Sequence, residues 1–123
     1  MGTAPAPFAL RPHERIRRKP EFQRVHEQGT RTSGRYMTAL FLANSLRHDR
    51  LGIIASRRIG DAVRRNKAKR LIREMFRLSK PGSPTSGWDV VIIPRVELLE
   101  ATVPSLQADF KSIRTRHARH TRS

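Results

Sequence analysis

The chain has 123 residues, no cysteine, and 26 Lys and Arg against 10 Asp and Glu, a formal charge of +16. That length suits one domain, and an apolar share of 37% leaves only a small core. The composition excludes disulfide frameworks, Cys-based zinc sites, thiol nucleophiles and a spanning helix, and its charge calls for a polyanion, nucleic acid before membrane surface.

Residues 1–12 are rich in Pro and Ala without periodicity and read as a loose leader segment. They lack the charged start and apolar block of a secretory signal, so a cytoplasmic location is expected. Arg11 to Lys19 is basic and extended in character. Pro20 suits a first helical position and Gly29 a left-handed cap, which predicts a helix over 20–28 with Phe22, Val25 and His26 on one face. Thr30 to Gly34 reads as a polar turn. A strand over 35–43 then places Tyr36, Thr38, Leu40 and Leu42 on one face and Met37, Ala39 and Phe41 on the other. Asn44 to Asp49 links it to a second strand over 50–56, and the two are expected to pair as an antiparallel hairpin.

Asp61 is the expected N-cap of the most informative element, a helix ending near Leu78. Ala68, Leu71, Ile72, Met75 and Phe76 recur at helical spacing as an apolar stripe. Asn66, Lys69, Arg70, Arg73 and Arg77 make a separate polar one. From 57 to 77, nine basic side chains stand against two acids, whereas a merely solvated face would mix both signs. Arg64 and Arg65 continue the apolar stripe backward, so their stems should be held at the edge of the core. Residues 79–87 form an evident loop, and Trp88 to Pro94 has the apolar run of a central buried strand. A last helix should start near Pro104, bury Leu106, Phe110 and Ile113, and fray from Arg114. The expected architecture is a two-layer α+β sandwich, order α-β-β-α-β-α, with about three helices on a small mixed sheet. Its divisions fall at 1–12 (flexible segment), 13–116 (single α+β domain, polyanion-binding) and 117–123 (basic tail).

The run Arg57-Arg58-Ile59-Gly60, a short link, then Arg65-Asn66-Lys67-Ala68-Lys69-Arg70-Leu71-Ile72-Arg73-Glu74 resembles the signature of the protein subunit of bacterial ribonuclease P. Glu21-Phe22-Gln23-Arg24-Val25 followed by Gly29 is similar to that family's first helix. Leu51-Gly52-Ile53-Ile54-Ala55-Ser56 is similar to its second strand. The resemblance implies an endoribonuclease that removes the 5′ leader of precursor tRNA, with the catalytic centre in an RNA subunit and no catalytic residue in this chain. It implies contact with that RNA through Arg64, Arg65, Asn66, Lys67, Lys69, Arg70 and Arg73. Leader binding falls on Phe22, Val25, His26, Phe41, Arg57 and Arg58, and Mg2+ is held mainly by the RNA. It further implies a left-handed crossover between the last two strands, against the usual rule. Two residues depart from the pattern. Lys67 replaces an Arg and loses its bidentate fork, and His26 replaces a second aromatic.

A single strand binds through a basic channel with aromatic platforms, for which Phe22 is the best candidate; ordinary core packing is the competing reading of that Phe. A self-sufficient metal nuclease would need clustered carboxylates, but Asp49, Asp61, Glu74 and Asp89 are scattered. His117 and His120 stand i, i+3 with no third ligand nearby, a poor metal site. A helix-turn-helix DNA binder would need a tight helix pair, and here strands flank the basic helix. A structural RNA-binding protein of ribosomal or assembly-factor type shares the composition and stands as the alternative. No membrane or small-molecule partner is expected.

Overall fold

The structure is a computed structural model and describes residues 12–79 and 87–121. The segment expected at 1–12 and the loop at 79–87 lie almost wholly outside these residues. A 3-10 turn at Pro12–Glu14 leads into α1 (Lys19–Gln28), β1 (Thr30–Ser33), β2 (Met37–Ala43) and β3 (Arg50–Ile53). Then come α2 (Ala62–Leu78), β4 (Trp88–Pro94), a 3-10 turn at Val96–Glu100 and α3 (Val103–Thr121). The strands form one mixed sheet in the order β1-β2-β4-β3. β2 lies antiparallel to both β1 and β4, while β3 runs parallel to β4. The architecture is therefore α+β, three helices on a small mixed sheet.

Sequence neighbours do not pair as expected in one place. β4, not β3, lies beside β2, so there is no hairpin between the second and third strands. β4 is apolar on both faces, with Val90, Val91 and Ile92 fully buried, and such a strand belongs in the middle of a sheet. The Asn44–Asp49 loop carries the chain around the end of β4. Asn44 N–H donates to the Gly87 carbonyl (3.2 Å), Gly87 N–H to that of Leu46 (2.8 Å), and Trp88 N–H to the Asp49 carboxylate (2.8 Å). A Cβ at Gly87 would strike the His48 carbonyl oxygen, so only glycine permits this clasp.

Residues 30–33, expected as a turn, are instead the edge strand β1, in register from Thr30↔Phe41 to Ser33↔Thr38. Gly29 is not a left-handed cap: its φ of −76° and ψ of 156° are extended, because the chain passes straight from α1 into β1. Its lack of a Cβ serves a close approach to the Val25 carbonyl. The end of α3 is ordered where fraying from Arg114 was expected, and the division placed at 117 falls inside this helix. His117 extends the Leu106, Phe110, Ile113 stripe and is 6% exposed. Its ring stacks on Phe41 (centroids 4.3 Å apart) and meets Trp88 edge-on (5.0 Å), which rules it out as half of a surface metal pair. The His120 side chain lies outside the described set.

The helices divide between the two sheet faces. Met37, Ala39 and Phe41 of β2 pack with α2 and α3, while Leu40 of β2 and Val91 of β4 pack beneath Val25 of α1 and Ile16. At the end of this α1 layer lies a buried ion network. Asp89, 0% exposed, accepts from Arg50 Nε (2.8 Å), Arg50 Nη2 (2.7 Å) and Asn44 Nδ2 (2.9 Å), and Arg50 Nη1 also reaches Glu21 (2.8 Å). Burial pushes the Asp89 carboxyl up, but the bonds from Arg50 and Asn44 outweigh it and hold the group below the usual carboxylate range. Glu21 is lowered chiefly by its bond from Arg50. Carboxyls depressed in the folded state contribute stability in full above their unfolded values and lose it as pH falls through the folded ones. Melting scans should therefore show stability level above about pH 5 and declining steadily below about pH 4. A profile unchanged down to about pH 2 would mean that the network does not couple to folding.

Candidate nucleic-acid interface

α2 begins where its sequence says it should. The Asp61 carboxylate accepts from Arg64 N–H (3.0 Å) and caps the first turn. Gly60 before it has φ +134°, a conformation closed to side-chain-bearing residues, and the Arg64 stem crosses it, with a built Cβ only 2.6 Å from Arg64 Cδ. The apolar stripe is buried at Ala68, Ile72, Met75 and Phe76, with Leu71 half-buried beside it.

The basic side chains of α2 do not form one face. Lys69 and Arg73 line a depression of about 160 Å³ together with Arg15, Ile16, Phe22, Leu51, Gly52 and Ile53. A wider, shallower depression of about 430 Å³ shares Phe22, Ile53 and Lys69 and adds Arg17, Lys19, Ile54 and Ala55. The shared residues make these one trough between α1 with its preceding arm, β3 and α2. Asn66, Lys67 and Arg70 instead line a separate shallow surface with Val63, which is 76% exposed. Helical geometry sets the centres of the two groups about 90° apart on α2, with Asn66 and Arg73 adjoining at their shared edge. Arg64 is exposed and Arg65 half-buried at the start of the helix.

The expected leader-binding residues separate as well. Phe22 is half-buried and in the trough, its ring over Gly52, where an added Cβ would lie 2.5 Å from Phe22 Cε1. Here too glycine serves close approach. Its neighbour one turn along, Val25, is fully buried under α1 and presents no surface. Phe41 is a correction of the same kind: it is 4% exposed and lies behind the sheet against Phe110 and His117. His26 is exposed on α1, and Arg57 and Arg58 are exposed on the turn between β3 and α2. Arg15, Arg17, Lys19 and Gly52 are trough residues without an assigned role in the sequence reading. The charge of that arm is visible in the sequence, but its alignment is tertiary: Ile16 N–H donates to the Leu51 carbonyl (2.9 Å) and Arg15 forms a parallel bridge to Leu51.

The electrostatics of the trough are one-sided. Burial, and then the Arg15 charge, pull the Arg73 guanidinium below its usual proton affinity. Among the described residues no three His, Asp or Glu side chains are grouped to hold a metal ion. Nor is any helix among them long and apolar enough to cross a membrane.

Comparison with known proteins bears on this arrangement. The family model for ribonuclease P matches residues 10–118. The chain belongs to the ribonuclease P protein family. The ribonuclease P protein component of Thermotoga petrophila is 44% identical over 87 residues, covering 71% of this chain and 74% of the relative. That of Clostridioides difficile is 30% identical over 98 residues, covering 80% and 86%. The solved RNase P protein of Staphylococcus aureus superposes with a TM-score of 0.71 at 30% identity, over 85% of this chain and 94% of that one. The Thermotoga maritima protein gives 0.68 at 33%, over 80% and 93%. As a member of this family the chain is an RNA-binding accessory subunit of an endoribonuclease in tRNA processing, which removes the ribosomal or assembly-factor alternative.

Proposed function

We propose that the chain holds the single-stranded 5′ leader of precursor tRNA in the Phe22 trough and binds the catalytic RNA of ribonuclease P through Arg64, Arg65, Asn66, Lys67 and Arg70. The observation that carries this division is the separation of the α2 cations. Lys69 and Arg73, grouped by the family resemblance with the RNA-subunit contacts, share a trough with an aromatic ring, whereas Asn66, Lys67 and Arg70 face elsewhere. A single strand needs that combination of backbone cations and a stacking surface. The folded RNA needs many phosphate contacts, and the exposed Arg64, Asn66, Lys67 and Arg70 at the start of α2 offer them. Mg2+ is held by phosphates of the RNA, and the protein works in the cytoplasm where precursor tRNA is made. The test is to mix the chain with a bacterial ribonuclease P RNA and precursor tRNA at low magnesium. Stimulated 5′ cleavage, with none from protein alone, supports the reading; no stimulation overturns it.

Assembly with the RNA should weaken steeply with salt. If about 6–10 phosphates are neutralised, affinity falls by about 10³–10⁵ between about 50 and 200 mM monovalent salt, because each contact releases counterions. A binding constant that stays level across that titration would contradict an electrostatic interface.

A further inference from the structure

We infer that Arg15 and Arg73 form a phosphate clamp at the narrow end of the trough, gripping one phosphodiester of the leader whose adjoining base lies on Phe22. The clamp presupposes the leader reading of the trough and adds to it a residue, Arg15, from outside the signature helix.

Three observations converge on it. First, the backbone of Arg15 is fixed by its bridge to Leu51 of β3, and its side chain lines the depression together with Arg73. Second, Arg73 approaches it from α2 closely enough for the two charges to disfavour one another, with Lys69 one turn earlier on the same side. Third, the residues lining this depression include three cations and not one carboxylate. Arg50 shows the contrast. Beneath α1, this structural arginine has every nitrogen engaged, by Asp89 and Glu21. Two guanidinium groups lining one depression that no carboxylate lines match the charge and the tetrahedral oxygens of a phosphate. The open part of the trough continues over Phe22 to Ile53, Ile54 and Ala55, an apolar floor suited to a base.

Arg15→Met and Arg73→Met keep the aliphatic stems and remove one charge each. The full-length protein is melted at constant ionic strength in chloride and in inorganic phosphate. The parent protein should gain melting temperature in phosphate, and each variant should show that gain at least halved while starting no lower in chloride, since the repulsion has gone. Equal phosphate gains in all three proteins would overturn the clamp. Each protein is then assembled with a bacterial ribonuclease P RNA and its affinity measured for precursor tRNA with a leader of several nucleotides and for leaderless tRNA. About a tenfold loss confined to the leader-bearing substrate is expected. Equal losses on both would assign the phosphate to the catalytic RNA and overturn the leader clamp. A leader-specific loss in Phe22→Leu but in neither Met variant would overturn the clamp and leave the trough reading standing. No leader-specific loss in any of the three would overturn the trough reading, and the clamp with it.

Discussion

Asp89→Ala should lower the stability of the free protein by about 3–5 kcal/mol, with the melting midpoint down by about 10–20 °C. The cause is what the carboxylate leaves behind. Asp89 is 0% exposed and satisfies two nitrogens of Arg50 and the amide of Asn44, so its loss strands a largely buried guanidinium on Glu21 alone. That guanidinium joins β3, β4 and α1, so the fault reaches three elements at once. Asp89→Asn keeps the shape but turns an amide toward the Arg50 donors, and should recover only part of the loss. Chemical denaturation read by circular dichroism measures both. A loss below about 1 kcal/mol for Asp89→Ala would show that the pair behaves like an exposed one, with water replacing the carboxylate. The same network is the source of the acid sensitivity described above, so the alanine variant should also have a flatter stability profile below about pH 5.

Phe22→Ala should weaken the assembled enzyme's hold on leader-bearing precursor tRNA by about 5- to 150-fold, from about 1–3 kcal/mol of lost stacking. Leaderless tRNA should bind as before. Phe22 is half-buried over Gly52, so some loss of fold stability accompanies the change. Phe22→Leu controls for this by keeping an apolar side chain while removing the ring. Arg65→Ala should do the reverse, weakening assembly with the RNA whatever the substrate. Equal defects for Phe22→Ala and Arg65→Ala on leaderless tRNA would contradict the division of labour between the trough and the start of α2.

The legibility of the parts differed for physical reasons. α2 could be read almost whole because its cap, its apolar period and its cations all lie in one continuous segment, and helical geometry converts spacing into faces. β1 could not, since Thr-Arg-Thr-Ser has no apolar alternation, and its strand conformation comes from pairing with β2. For β2 the alternation was legible but its direction was not. Two faces are equivalent until helices cover them, and α2 and α3 took the face holding Phe41 while α1 took that of Leu40. Phe22 and Val25 posed the same ambiguity on α1: both are apolar and three residues apart, yet one lies in the trough and the other in the core. The burial of His117 is not legible in the sequence because a polar side chain in a basic run does not advertise it, although it stands four residues after Ile113 on the same stripe.

Sequence by itself was enough for the polyanion partner, the signature helix with its cap and buried stripe, the central apolar strand and the family resemblance. These depend on charge totals and on short-range periodicity, which no folding event alters. Tertiary structure decided which strand β4 would stand beside, which face of the sheet each helix would cover, and so which aromatic could meet a ligand. It also brought Arg15 from the N-terminal arm to Arg73 on α2, fifty-eight positions later in the chain. Contacts between segments so far apart follow from how the whole core closes, and local spacing carries no record of them.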